Sequence, residues 1–388
     1  MLKINIVVGG RFQAAQIYDA LVFLGHDVHI YASSPARYFK TVPKDRVTFI
    51  PKLAQLLQKG LKKRMPRWLS EWSSIAFDRI VVSVMRPADI VWGFNGDSLL
   101  SGRKIKSTGG VYILDRACPH ILAQESLLKN ESKSTGYPYS PLTERLRARF
   151  LAEYDVADLI VVSSEYSLSS FLSRGFTEKK VLKAPLDANA PKPSGKYTSR
   201  MKFDGCSQEK FCIGMVGGSF LRKGIIYLLR AVASLDRSDI QLLIRTTPHN
   251  VTQHEEAKAL VDQLGVVFVP YLDDINSFYQ SIDCFVLPSV DEGFGMVLYE
   301  ALMNGTPVIA TNHVGAIDSM VPGKDFLEVP PANEQALAEA ICILHNDTKR
   351  RKQIALAGKN FYKSRLAGGG QYMQSVERVL QQAIADKN

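Results

Sequence analysis

Apolar runs of strand length alternate along this chain with amphipathic stretches of helix length. A run at residues 4–8 is followed by a helical pattern at 14–24 and a second run at 28–32, with Gly25-His26-Asp27 marking the end of the helix between them. The same pattern predicts strands at 90–92, 111–114, 159–163, 211–216, 241–245, 266–269, 284–288 and 307–310. Strand then helix, repeated, implies parallel sheets, because a parallel pair needs a crossover and the crossover helix covers a sheet face. The last segments, near 333–346, 349–365 and 370–385, read as helices.

The chain has 388 residues, enough for two cores rather than one. The stretch 188–196 holds two prolines and little apolar content, and it falls at the midpoint. The expected organisation is an N-terminal Rossmann-like domain over 1–190, a linker over 191–210, a second Rossmann-like domain over 211–368, and a C-terminal helix over 369–388 that packs back on the first domain. No apolar run reaches the ~20 residues that span a bilayer, and the start reads as a strand rather than a signal peptide. The five cysteines are odd in number and lack metal or redox spacing, which fits reduced thiols in the cytoplasm.

Charge alters the picture of the first half. Residues 1–195 carry 28 Lys and Arg against 17 Asp and Glu, so the whole net charge of +10 lies there and the remainder is close to neutral. A basic half implies an anionic partner. Nucleic acid is not expected, since no helix-turn-helix, zinc-finger or RNA-recognition pattern occurs. Residues 59–67 hold five cations and no anions, just ahead of Trp68, Leu69 and Trp72. A peripheral seat on the inner face of an anionic membrane, a solvated loop and an anionic-acceptor site all stay open for it.

The most informative stretch runs from Leu287-Pro288 through Asp291-Glu292-Gly293-Phe294-Gly295 into a helix that ends at Gly305. Glycines at 293 and 295 permit close approach of a ligand to the backbone. The unpaired amides of Gly295, Met296 and Val297 at the helix start suit a phosphate. Glu292 in the loop could grip sugar hydroxyls, and Glu300, about two turns along the helix, could take two ribose hydroxyls. A second turn, Gly217-Gly218-Ser219-Phe220-Leu221-Arg222-Lys223-Gly224, joins a strand to an amphipathic helix and brings cations to a glycine-rich bend.

At these residues the chain resembles the retaining glycosyltransferases of family four, also called group 1. The shared features are two glutamates eight apart around Gly-Phe-Gly, ahead of Glu-Ala and Gly-x-Pro-Val. The resemblance implies an α/β, GT-B fold: two Rossmann-like domains facing each other across a cleft, with a nucleotide sugar (UDP- or GDP-linked) on the second. It implies that Glu292 contacts the donor sugar, Glu300 the ribose and Lys223 the diphosphate. Gly218 stands where the family has a second cation, a role open to Arg222. It further implies retention at the anomeric carbon and a glycan or lipid-linked acceptor. No Asp-x-Asp occurs, so no metal is expected, and no cofactor beyond the donor.

In the first half, Gly9-Gly10-Arg11 follows the first strand, where paired glycines allow a ligand near. Asp115-Arg116-Ala117-Cys118-Pro119-His120-Ile121 follows the strand at 111–114. A similar sequence in part of the family implies that His120 faces the donor sugar, with Asp115 and Arg116 on the acceptor side. Two other readings remain: a sugar-nucleotide epimerase or hydrolase on the same fold, and a binding protein with little catalytic power.

Overall fold

The computed structural model describes residues 1–52, 67–187, 209–272, 274–367 and 371–385. Most of the expected linker and all but the last residue of the basic stretch at 59–67 lie outside these residues.

Strands β1 (Lys3–Val8), β2 (Asp27–Ala32), β3 (Val47–Phe49), β4 (Ile90–Phe94), β5 (Val111–Asp115), β6 (Leu159–Val162) and β7 (Val181–Lys183) form one sheet in the order β3-β2-β1-β4-β5-β6-β7. Strands β8 (Phe211–Val216), β9 (Ile240–Arg245), β10 (Val267–Phe268), β11 (Cys284–Leu287), β12 (Val308–Thr311) and β13 (Leu327–Val329) form the second, ordered β10-β9-β8-β11-β12-β13. Every pairing is parallel. All residues of β4, β5, β6 and β8 are buried, which is why these strands read as unbroken apolar runs rather than alternating ones. Strands β3, β7 and β13 were not anticipated. Each is a three-residue edge strand, too short to show a period.

Each sheet runs outward from its first strand and then restarts on that strand's other side. The order therefore reverses between β1 and β4, and again between β8 and β11. In open α/β sheets the crevice at such a switch point, outside the carboxyl ends of the strands, is where ligands bind. The glycine pairs Gly9-Gly10 after β1 and Gly217-Gly218 after β8 fall at these points.

The chain crosses back at its end. The helix Thr348–Ala367 packs on the helix Met296–Asn304, whereas the next helix, Gln371–Ala385, lies against Ala14–Phe23, β5 and β6 of the first domain. Tyr372, Val376, Val379, Leu380 and Ala383 are buried there, at the spacing of one helix face. Asp187 pins the crossing, pairing with Arg365 at 3.2 Å and accepting the Tyr372 amide at 3.2 Å.

Candidate active site

Two loops of the second domain are tied together by one carbonyl. The oxygen of Arg222 accepts the amides of Val290 at 2.9 Å and Asp291 at 3.2 Å. Gly224, at φ 63°, makes the fit possible, since a Cβ there would lie 2.0 Å from the Pro288 carbonyl oxygen. The turn after β8 is thereby seated on the end of β11, and its cations meet the acid of the other loop. Lys223 Nζ donates to Glu292 Oε2, and Arg222 donates to the same oxygen at 3.1 Å and to the Asp291 carbonyl at 3.0 Å. Burial alone pushes the Glu292 carboxyl up, but Lys223 and Arg222 outweigh it and hold it below the usual carboxylate range. The aliphatic stem of Lys223 runs along Gly217.

Gly295, at φ 92°, turns the loop into the helix Met296–Asn304, and Gly305, at φ 73°, ends it in the left-handed region anticipated from the sequence. Phe294 is buried with its ring edge-on to Tyr299 at 5.3 Å, anchoring the loop. Met296 and Val297 stand half-buried at the helix start, where the amides have no partner within the helix. On that helix Glu300 accepts the Tyr279 hydroxyl at 2.7 Å, and burial raises its pKa against the opposing effects of Tyr279 and Arg245. Gly218 and Ser219 are exposed at the mouth of the turn. A Cβ on Gly218 would point at Asn250, 2.6 Å away, rather than at Glu292.

The glycine loop also touches the other domain. The Gly293 carbonyl accepts hydrogen bonds from Ser164 Oγ at 2.6 Å and Ser163 Oγ at 3.2 Å. A Cβ on Gly293 would sit 2.0 Å from the Ala117 carbonyl oxygen. This glycine therefore lets the loop approach the first domain, not only a ligand. Asp291 is fully buried, with Tyr166 donating to Oδ1 at 3.0 Å and Gln124 to Oδ2, both from the first domain. The Tyr166 ring stacks on His313 at 4.8 Å, and the His313 carbonyl accepts the Glu292 amide at 3.1 Å. Sequence reasoning passed over this clasp. Asp291 lies inside the motif, but its partners stand 125 and 167 positions away.

Several first-domain expectations need correction. His120 does not join the Lys223–Glu292 cluster. Its Nδ1 accepts the Leu122 amide at 3.2 Å, capping the helix Ile121–Thr135, and its ring lies among Tyr154, Phe171 and Phe176 at 4.9, 5.0 and 5.7 Å. Burial, with Arg174 and Arg116 nearby, lowers its pKa to about 4, which favours the neutral ring that caps the helix here. Arg116 is not directed at an acceptor. It donates to the Pro119 carbonyl at 2.9 Å and to Gln124 at 3.1 Å, orienting the amide that holds Asp291. Gly9 and Gly10 make room for the protein's own side chains: a Cβ on Gly9 would meet the buried Lys52–Asp97 ion pair, and one on Gly10 would lie 3.0 Å from the Phe12 ring. Arg11 remains exposed, its guanidinium carbon 4.8 Å from the Tyr38 ring centroid.

Asp115 is buried, accepts Gln13 at 2.6 Å and Trp92 at 3.4 Å, and is raised to about 7 by burial. Between pH 4 and 7 the unfolded chain has lost this proton and the folded chain keeps it, so Asp115 lowers stability as pH rises through that window and no further above it. A shift of that size corresponds to on the order of 4 kcal/mol by linkage. The Asp115→Asn chain is expected to gain stability over wild type progressively from pH 4 to 7 in chemical denaturation. A gap that does not change with pH would contradict the shift.

Comparison with known proteins bears on this arrangement. Residues 200–361 match the family model of the glycosyl transferases group 1. That match contains Lys223, Glu292 and Glu300. The capsular polysaccharide biosynthesis glycosyltransferase CapM of Staphylococcus aureus is 32% identical over 162 residues, which are 41% of this chain and 43% of that protein. The D-inositol 3-phosphate glycosyltransferase of Corynebacterium urealyticum is 28% identical, over 62% of this chain and 59% of that one. The chain thus spans about half the length of these curated relatives. Sucrose-phosphate synthase from Thermosynechococcus elongatus superposes with a TM-score of 0.71 at 19% identity over 100% of both chains. Anabaena HepE in complex with UDP-glucose gives 0.68 at 17% identity over 98% of this chain and 100% of that one. These likenesses establish the GT-B fold.

Proposed function

We propose that this protein is a retaining, metal-independent glycosyltransferase of family four that moves a sugar from a nucleoside-diphosphate sugar to a glycan or lipid-linked acceptor. The observation that carries the proposal is the convergence of Lys223 and Arg222 on Glu292 at the switch point of the second sheet, where its loop meets the first domain. An incoming diphosphate takes the two cations from Glu292. Lys223, Arg222 and the start of the helix Met296–Asn304 then neutralise the leaving group as its bond to the sugar breaks. The freed Glu292 carboxylate holds sugar hydroxyls, and Glu300 holds the ribose. The acceptor hydroxyl attacks on the face the diphosphate leaves and passes its proton to the departing phosphate oxygen, giving retention.

Two structural neighbours, HepE in complex with UDP-glucose and S. aureus MnaA with UDP, support uridine over guanosine for the donor. The names of the curated relatives, capsular polysaccharide biosynthesis among them, support a role in cell-surface polysaccharide or glycolipid synthesis. Among the described residues no helix is long and apolar enough to cross a membrane. Trp68 and Trp72 are exposed on the helix Arg67–Val84, with Arg145 4.2 Å over the Trp72 ring, which supports peripheral contact with the cytoplasmic face of a membrane.

Thermal unfolding in the presence of UDP, GDP and their hexose conjugates tests the donor. One nucleoside diphosphate should raise the midpoint in proportion to the logarithm of its concentration, while the monophosphate does so weakly. No shift with any of them would remove the basis of the proposal, and an inverted anomer in the product would remove the retaining mechanism.

A further inference from the structure

The switch point of the first sheet carries an unusual aromatic. Phe12, two residues after the glycine pair, is 71% exposed and has φ 35°. Burial normally draws a phenylalanine inward, and a left-handed backbone disfavours any residue with a Cβ. Both preferences are overridden here, a combination that marks functional positions. The ring is held flat on Phe94, the last residue of β4, at 5.7 Å and 17°, and Gly10 supplies the space beside it. It therefore lies over the junction of β1 and β4.

A cavity of about 660 Å³ opens beside it, walled by Arg11, Asp19, Tyr38, Phe39 and Lys40 as well as Phe12. Its size is that of small-ligand sites. Arg11 and Arg37 stand 4.8 and 5.2 Å from the Tyr38 ring, which is itself partly exposed. Asp19, the one acid among the described residues of this wall, is engaged by Thr41 at 2.8 Å. Flat aromatic faces suit the apolar face of a sugar ring, and guanidinium and ammonium groups suit a carboxylate or phosphate.

We propose that this crevice binds the acceptor, and that the acceptor is a saccharide carrying an anionic group, stacked on Phe12 and Tyr38 with its charge on Arg11 and Lys40. The proposal rests on the transferase reading above and adds the acceptor's chemical class. The position fits transfer. β1 lies two strands from β5, or ~10 Å at sheet spacing, and the donor loop docks at Ala117 just beyond β5.

The test is calorimetric titration of the full chain, with UDP present, using tetragalacturonate (carboxylate), glucose 6-phosphate (phosphate), maltotetraose (neutral) and vesicles containing phosphatidylglycerol. At least one acidic sugar should bind at least tenfold tighter than maltotetraose. Phe12→Ala and Arg11→Ala should each weaken it at least fivefold while UDP affinity stays within twofold. The two acidic probes separate carboxylate from phosphate. Neutral sugar binding as well as acidic, no binding of either acidic sugar, or unchanged binding in Phe12→Ala each overturns the proposal. Vesicle binding that Phe12→Ala abolishes, without acidic-sugar binding, overturns it in favour of a lipid surface. Absence of UDP binding to the wild-type chain would instead count against the donor site, so the two failures are distinguishable.

Discussion

Lys223→Ala should lower affinity for nucleoside diphosphates by ten- to a hundredfold while leaving the nucleoside alone nearly unaffected. The reason is that Lys223 and Arg222 both address Glu292, and the proposed donor site turns both onto the diphosphate. A charge-assisted hydrogen bond is worth about 1.5–3 kcal/mol, which is roughly that affinity range. Turnover should fall further, by about a hundred- to a thousandfold, because charge grows on the diphosphate as the sugar departs and a fixed donor matters most there. Glu292 would retain Arg222 at 3.1 Å, so the fold should survive the change. Isothermal titration with UDP, UMP and uridine, beside initial rates, separates these effects. Equal losses for uridine and UDP would show that the lysine serves the fold rather than the phosphates.

Gly293→Ala should slow transfer by about a hundredfold while sparing nucleotide binding. The added Cβ would fall 2.0 Å from the Ala117 carbonyl oxygen and 2.7 Å from Cys118 Cα, both backbone, so no side chain can swing away. The loop must retreat from the first domain and the Gly293 carbonyl must leave Ser163 and Ser164. Misplacement by about 1 Å costs on the order of a hundredfold in rate. Nucleotide affinity should change little, since Lys223, Arg222 and Glu300 lie on the second domain. Small-angle scattering should report a larger radius of gyration than wild type. An alanine variant as active and as closed as wild type would show that the domains need not meet at this loop.

The parts of the site that were legible in the sequence share one property: their geometry is set within a few residues. Lys223 beside Gly224, Glu292 and Glu300 around Gly293 and Gly295, and the cap at Gly305 follow from a turn and a helix start. The misread parts depend on distant groups. The family resemblance points His120 at the donor sugar, but Tyr154, Phe171 and Phe176 arrive from later elements and enclose the ring. Arg116 was given to the acceptor, and Gln124 redirects it to the clasp. Gly9 looked like a ligand contact, but the Lys52–Asp97 pair beside it carries no local signal at all.

Taken alone, the amino-acid order determined the alternation of strand and helix, the division into two parallel-sheet domains and the local geometry of the two glycine-rich loops, because backbone sterics and apolar periodicity act over short spans. Only the tertiary structure decided which face each polar side chain presents. Asp291 belongs to the other domain as much as to its own, and Phe12 rather than His120 stands open at the first switch point. Those choices arise from packing between segments distant in sequence, and no local preference encodes them.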